Sequence, residues 1–307
     1  MARPSRIGLL IVVLLASTCA ASAQELEPRA YSSSPLGTNF FLLALGRSSG
    51  SVIFDPSIPI TDVSAHVGSA TAGYGRSYGI GGKQGLFTIA FPYAVAHVEG
   101  MVQEQAHAVT RSGLADLRLR ASLNLIGGKA MSPAEFAAAP RKTVFGISVT
   151  VQAPTGAYDA TKLVNLGTNR WAFKPELGVS VPVGHWYLEA YAGAWFFTNN
   201  VNFYPGTSVK QQDPLTSAQF HVAYTFKNRS WLALDGTWYG GGQVTLDDGP
   251  PSARFSNSRY GGTFSLPVAK LHSLKFAASK GASARTGSNF TTYLLAWQVL
   301  WFERGNP

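Results

Sequence analysis

The chain has 307 residues, of which 46% are hydrophobic and 13% are charged, and its formal net charge is +9 at pH 7. This length suits one large domain, and the basic residues are spread out rather than clustered, so we expect anionic lipids or anionic solutes as partners and no nucleic acid. Beyond residue 23 the sequence contains no run of 18 apolar residues, which argues against a membrane protein built from helices.

The first part of the chain has the composition of an export signal. Two arginines precede an apolar run over residues 7–15, which is too short to span a membrane, and a small-residue cleavage site follows at 21–23. We therefore predict a signal peptide over residues 1–23. Cys19 is the single cysteine and would leave with the signal, so the mature chain is expected to have no disulfide and no cysteine-bound metal.

Residues 24–37 contain two prolines and alternate little, so we predict a separate N-terminal segment that lies in the periplasm or in the lumen of a barrel. From residue 38 onward, apolar and polar residues alternate in long runs, most clearly on both sides of Gly184-His185. Alternation indicates β-strands, because side chains change face at every residue. Twelve strands are predicted, over residues 38–47, 61–77, 84–98, 114–126, 143–153, 170–183, 186–197, 211–226, 230–243, 254–268, 272–284 and 290–302.

The segments between the strands also follow a pattern. Ser132 is a suitable helix cap, Pro133 suits the first helical position and Pro140 ends the run, which predicts a short helix between strands four and five. The other connections alternate between long and short. With the N-terminus in the periplasm, the short turns fall on the periplasmic side and the long loops outside, as in bacterial outer-membrane barrels.

These patterns predict an all-β fold: an antiparallel transmembrane β-barrel of about 12 strands over residues 38–302, with one short periplasmic helix and a tail at 303–307. The last strand ends in aromatic residues and resembles the insertion signal that the barrel-assembly machinery reads. We therefore expect the bacterial outer membrane as location, with outer-membrane lipid and lipopolysaccharide as surroundings.

If the apolar face of each strand meets lipid, the opposite face lines the lumen. One interpretation is a positively biased constriction that favours anions, and the alternative is a network of ion pairs that fills a narrow barrel. Glu27, Arg29 and Tyr31 of the N-terminal segment could add a plug, or the segment could be a periplasmic tail. The lumen-lining candidates are Asp116, Arg118, Arg120, Arg170, Lys174, Glu176, Tyr187, Glu189, Tyr191, His221, Asp235, Arg259 and Lys275.

The aromatic residues divide into two predicted groups. Tyr187, Tyr191, Trp195 and Tyr239 lie on the lumen face, where they could form a stacking path for aromatic solutes or fill volume. The second group is expected to form a belt at the membrane interface, where amphipathic rings are favoured. It consists of Trp171, Trp186, Trp231, Trp297 and Trp301.

Enzyme signatures are weak in this sequence. Glu104 and His107 have a metal-like spacing near His97 and Glu99, but a second pair is missing, so we expect no metal and no cofactor. Ser217 and His221 share a strand face, yet four residues along a strand span about 13 Å, which is too far for a nucleophile and its base. The chain is therefore not expected to be an enzyme.

Several stretches are similar to those of a known family. They lie at residues 26–32, 165–178, 212–215, 257–259, 272–275, 285–290 and 295–298. Together they resemble the meta-pathway of phenol degradation family of outer-membrane transporters. The resemblance implies a channel-like barrel, with aromatic compounds as one class of solute, and it implies no catalytic residues.

The expected function is passive uptake of small solutes, including aromatic or anionic ones, through a charged lumen. The alternative is a non-conducting structural or adhesive barrel that acts through its extracellular loops. An outer-membrane hydrolase is a third hypothesis, for which the sequence offers no suitable Ser and His pair on the lipid-facing side.

Overall fold

The computed structural model describes residues 26–53, 60–102, 105–284 and 287–303. The predicted signal peptide over residues 1–23 lies outside these ranges. Among the described residues, no helix has the length and apolarity that crossing a membrane requires.

The described residues form sixteen strands and one short helix. In chain order they are β1 (Thr38–Ile53), β2 (Ile60–Ile80), β3 (Lys83–Val102), β4 (Gln105–Leu114), β5 (Leu117–Ile126), α1 (Pro133–Ala138), β6 (Val144–Ala153), β7 (Ala172–Val183), β8 (Trp186–Phe197), β9 (Asn200–Phe203), β10 (Ser208–Gln212), β11 (Leu215–Thr225), β12 (Trp231–Gly241), β13 (Val244–Leu246), β14 (Phe255–Ala269), β15 (His272–Ala284) and β16 (Gly287–Phe302).

The main sheet closes on itself. Strand β1 pairs antiparallel with both β16 and β2, and β2 pairs with β3. Strands β4 and β5 both pair with β3, along different halves of it, and so act as one barrel strand interrupted near Asp116. The prediction of a closed antiparallel barrel of twelve strands is therefore confirmed. Closure leaves no unpaired edge, which the interior of a bilayer would not tolerate.

The two ends of the barrel differ. Short connections such as Gly184-His185 and Lys270-Leu271 join strands at one end, which we call the turn end and which also holds α1. Longer connections, including residues 154–171 and 198–214, lie at the other end, which we call the loop end. This alternation agrees with the predicted one.

Several predicted loops were wrong in part. Residues 48–59 were expected to be a loop, but β1 continues to Ile53. Residues 99–113 were expected to be a loop, but β3 continues to Val102 and β4 begins at Gln105. Residues 199–210 were also expected to be a loop, but they contain β9 and the start of β10, which form a separate three-stranded sheet with β13 at the loop end. Beyond the lipid both faces of a strand meet water, so these segments show no apolar alternation.

The predicted helix is confirmed. Ser132 caps α1: the Glu135 backbone N–H donates to Ser132 Oγ at 3.4 Å, and the Ser132 backbone N–H donates to Glu135 Oε2 at 2.8 Å. This reciprocal capping box satisfies two backbone donors that the first turn would otherwise leave free.

The outer surface of the barrel is apolar. Leu45, Phe220 and Leu234 are 55%, 62% and 67% exposed, whereas inward neighbours such as Asp235 are buried. This is the reverse of a soluble protein and is the arrangement that lipid requires of a membrane barrel. Functional side chains are therefore to be sought inside the barrel and at the loop end.

Candidate functional site

The predicted lumen candidates lie on the inward face of the sheet. Nine are buried: Asp116, Arg170, Lys174, Glu176, Glu189, Tyr191, His221, Asp235 and Arg259. The remaining ones are partly exposed: Arg118, Arg120, Tyr187 and Lys275. They come from β5, β7, β8, β11, β12, β14 and β15 or from residues beside these strands, and we call this side of the lumen the charged wall.

Glu176 is the centre of the largest group on the charged wall. Lys174 Nζ lies 2.7 Å from Glu176 Oε2, and Arg120 Nη2 lies 3.7 Å from Oε1. Gln219 Nε2 donates to Oε2 at 3.3 Å, and the Tyr31 hydroxyl donates to Oε1 at 3.2 Å. A buried carboxylate needs paired charges and hydrogen bonds of this kind to offset its loss of hydration.

Tyr31 belongs to the N-terminal segment, yet it is only 1% exposed because its ring lies against the charged wall. Its hydroxyl hydrogen-bonds Ser148 Oγ at 2.9 Å. The ring rests on Gly146 and Gly178, which face each other across β6 and β7. A Cβ at Gly178 would lie 2.1 Å from Tyr31 Cε2, and one at Gly146 would lie 2.5 Å from Cδ1, so both positions must lack a side chain.

Arg29 fixes the same segment at a second point. Its backbone N–H donates to Glu189 Oε2 at 2.6 Å, and its guanidinium lies 4.6 Å from the Tyr187 ring centroid and 5.5 Å from that of Trp231. Trp231 therefore faces the lumen, and its prediction as part of the interface belt was wrong. Alternation on β12 places it on the face of the buried Asp235, whereas Trp171, Trp186, Trp297 and Trp301 are exposed on the outer face.

His221 forms a separate buried group. Its Nδ1 lies 2.7 Å from Asp235 Oδ1, and the Thr263 hydroxyl donates to Asp235 Oδ2 at 2.9 Å. Ser217, the serine that shares the strand face of His221, donates instead to the Gly193 carbonyl at 3.4 Å. The group is therefore a hydrogen-bonded pair on the charged wall, and Ser217 is not placed to act as its nucleophile.

The predicted metal-like cluster is only partly described. His97 Nε2 lies 2.8 Å from Glu99 Oε1, and its Nδ1 is 2.8 Å from Thr110 Oγ1. Glu104 lies outside the described residues. Within the described ranges, no three His, Asp or Glu side chains come together as a metal site requires.

A second side of the lumen escaped the sequence prediction. Inward positions on β16, β1, β2 and β3 carry no Asp, Glu, Lys or Arg among the described residues, and we call this side the uncharged wall. Its inward residues include Phe40, Leu42, Ala44, Thr71, Leu86, Ala90, Leu294 and Ala296. The signal was present in the sequence, because residues 40–45 are apolar at every position rather than alternating.

The two walls differ in how closely they are covered. Residues 29–31 of the N-terminal segment lie over the charged wall, where most charged groups are buried, whereas Ser34 and Pro35 reach Gln84 and Ser77 of the uncharged wall near the turn end. Phe40, Leu42, Leu86 and Leu294 on the uncharged wall remain partly exposed although they face inward. The uncharged wall therefore presents an apolar surface toward the lumen.

A closed barrel with an apolar outside and a polar, partly filled inside is the architecture of a bacterial outer-membrane channel, and such a barrel lies in outer-membrane lipid. The chain belongs to the family described as "Putative MetA-pathway of phenol degradation", whose model matches residues 50–295. No curated protein matches the sequence.

Solved structures show the same fold. The COG4313 outer membrane channel from Pseudomonas putida F1 superposes with a TM-score of 0.75 at 19% identity, covering 90% of this chain and 100% of that one. The transport unit of the autotransporter AIDA-I from Escherichia coli gives a TM-score of 0.53 at 9% identity, covering 98% and 100%. The Bordetella BrkA β domain gives 0.50 at 11% identity, covering 87% and 100%. The first of these structures is described as an outer membrane channel, and the other two are parts of autotransporters.

Proposed function

We propose that the protein is an outer-membrane channel for passive uptake of small solutes, including aromatic or anionic ones. The observation that carries this proposal is the division of the lumen into a charged and an uncharged wall. An aromatic solute has an apolar ring and a polar substituent. Its ring can lie against Leu42 and Leu86 while the substituent faces the charged wall, so the two walls suit both parts of one molecule.

The family supports the same class of solute. Its description refers to phenol degradation, and the similar structure from Pseudomonas putida F1 is an outer membrane channel. Transport of compounds that feed aromatic degradation is therefore a coherent role for this barrel, and we infer transport rather than catalysis.

The N-terminal segment is proposed to narrow the lumen. Tyr31 and Arg29 bridge β5, β6, β7, β8 and β12 near the turn end. The hydrogen bonds of Tyr31 are buried and that of Arg29 is partly buried, and a loose tail would not make such contacts. A channel narrowed in this way would pass small solutes and exclude large ones. We propose that the predicted lumen-lining residues also border and narrow the solute path. Arg118 and Arg120 are the cations that bias this path toward anions.

The orientation and the assembly partners follow from the general properties of such barrels. We propose that the turn end faces the periplasm and the loop end faces the exterior, where lipopolysaccharide surrounds it. Strand β16 ends in Trp301 and Phe302 and is proposed as the segment that the barrel-assembly machinery recognises.

Conductance of the purified protein in a planar bilayer tests the proposal. We expect a small current for the unmodified chain and a larger one for Tyr31→Ala, because that change removes a ring and two buried hydrogen bonds from the lumen. Tyr260→Ala is the matched control, since Tyr260 is 55% exposed on the outer face. If all three barrels are folded but none conducts, the channel is refuted.

The alternative of a non-conducting barrel that acts through its loops draws on the β9–β10–β13 sheet, an ordered surface at the loop end. In that case Tyr31→Ala would leave the membrane current at zero, while disruption of the small sheet would abolish binding to an external surface. The two hypotheses therefore predict different results for the same variants.

A further inference from the structure

Two buried cations lie together at the loop end, apart from the Glu176 group. Arg170 directly precedes β7, and Lys210 lies on β10 of the small sheet; each is 7% exposed. Gln212 is two residues beyond Lys210, so both side chains point to the same side of β10. Since Arg170 Nη2 donates to Gln212 Oε1, that side of β10 faces Arg170.

Among the residues that the structure describes, neither cation has a carboxylate as a direct partner. Arg170 Nη1 is buried and has no hydrogen-bond acceptor in these ranges. Within the described part of the chain, Lys210 makes no side-chain hydrogen bond and no ion pair. Burying a positive charge without a partner costs free energy because the charge loses its hydration, so such a pair is unusual in a folded protein.

Asp116 is the carboxylate that interacts electrostatically with Arg170, but its oxygens already accept hydrogen bonds from uncharged donors. Its Oδ2 accepts hydrogen bonds from Gln152 Nε2 at 3.0 Å, from the Thr168 backbone at 2.9 Å and from the Thr168 hydroxyl at 2.6 Å. Its Oδ1 accepts one from the Gly156 backbone at 2.9 Å. Asp116 therefore organises the loop and leaves Arg170 Nη1 unpaired.

The electrostatic state of the pair reflects this lack of a counter-ion. Burial lowers the pKa of Lys210 to about 7, and the positive charge of Arg170 contributes to the decrease. Burial likewise lowers the pKa of Arg170 to about 10. Both shifts have the direction expected for cations that an anion would stabilise.

Aromatic rings flank both cations. The Arg170 guanidinium lies 4.3 Å from the Phe197 ring centroid, and Lys210 Nζ lies 5.2 Å from that of Phe203. Phe197 is partly exposed and faces inward at the end of β8, so an apolar surface adjoins the charges. The local chemistry combines two unpaired donors with a ring at the mouth of the lumen.

We propose that Arg170 and Lys210 form a binding site for a small carboxylate with an aromatic body. One carboxylate oxygen accepts a hydrogen bond from Arg170 Nη1 and the other from Lys210 Nζ, while the ring of the solute packs beside Phe197. This inference rests on the proposed function and deepens it, because it names aromatic carboxylates as a solute class captured at the loop end before passage.

Binding of benzoate to the purified, folded barrel, followed by calorimetry in detergent micelles, tests the site. We expect saturable binding that weakens about tenfold or more in Lys210→Met and in Arg170→Met, because each change removes one of two charged donors. Lys210→Met is the more informative variant, since the side-chain contact that the described residues give Lys210 is with the Phe203 ring and its loss disturbs little. Lys162→Met is the matched control: it removes the same charge from an exposed ion pair with Asp159 at the same end.

Other probes define the ligand class. Benzyl alcohol should fail to compete because it has no charge, and acetate and phosphate should compete poorly because they have no ring. Equal benzoate affinity in Lys210→Met and the unmodified protein would overturn the site, and equal competition by acetate or phosphate would overturn the assignment to aromatic carboxylates. Conductance measured on the same samples separates the hypotheses: a conducting barrel that binds no benzoate refutes the site alone, whereas a folded barrel without current refutes the channel.

Discussion

Two glycines decide whether Tyr31 can occupy the lumen. Gly146 and Gly178 leave the space that its ring fills, and a methyl group at Gly178 would overlap the ring at 2.1 Å. We predict that Gly178→Ala displaces Tyr31 and raises the bilayer conductance. Gly236→Ala is the control, because a Cβ there meets no atom within 4 Å. Unchanged current in Gly178→Ala would mean that Tyr31 does not limit the passage.

Glu176 is the carboxylate that neutralises Lys174 and Arg120 on the charged wall. Removing its charge by Glu176→Gln leaves the buried Lys174 and the partly exposed Arg120 without this carboxylate, and breaking a buried pair such as Lys174–Glu176 costs about 3–5 kcal/mol. We predict a matching loss of stability in urea unfolding of the barrel. The double variant Glu176→Gln, Lys174→Met should recover part of the loss, because it also removes one of the positive charges that Glu176 neutralised. If the stability loss of the double variant equals the sum of the losses in Glu176→Gln and Lys174→Met, the two residues are not coupled and the prediction is wrong.

At the scale of the strands, sequence patterns identified most of the barrel. Alternation gave the bounds of β8 and β15 as the structure has them, because each side of those strands faces a different solvent. It failed for β4, β9 and β10, which extend past the lipid and have mixed polarity on both faces. The alternation of residues between the two strand faces also located the charged wall. It could not identify the uncharged wall, because the prediction assigned every apolar face to lipid.

The uncharged wall gives a prediction at the same scale. Leu42 faces inward from β1 and is partly exposed to the lumen. We predict that Leu42→Gln slows the flux of phenol into liposomes while the ion current is maintained, because a polar amide replaces part of the apolar path. Leu42→Met keeps the apolar surface and should keep the flux. Equal phenol flux in both variants would remove this wall from the solute path.

For the whole molecule, the features that the sequence did not predict are contacts between segments that are distant in the chain. Tyr31 meets Glu176, 145 residues further on, and Arg170 meets Gln212, 42 residues on. Neither pair has a local signature in the sequence. The first depends on where the N-terminal segment lies in the closed barrel, and the second on how the small sheet lies beside the start of β7. The alternation of strand residues predicted which charged side chains face the lumen. Which of these charges pair with each other required the three-dimensional structure.

The charge of the whole lumen leads to a final prediction. The predicted lumen set contains six cationic side chains and four carboxylates, so the path should have a positive bias even after Lys174 and Arg120 pair with Glu176. We predict that the reversal potential in a KCl gradient shows a preference for chloride and that replacement of Arg118 and Arg120 by alanine reduces it. The preference should weaken toward 1 M salt, where the screening length falls to about 3 Å. Arg47→Ala removes a charge from the outer face of β1 and should leave the reversal potential unchanged; an equal effect of Arg47→Ala would show that the bias arises from the total charge of the protein and not from these two lumen cations.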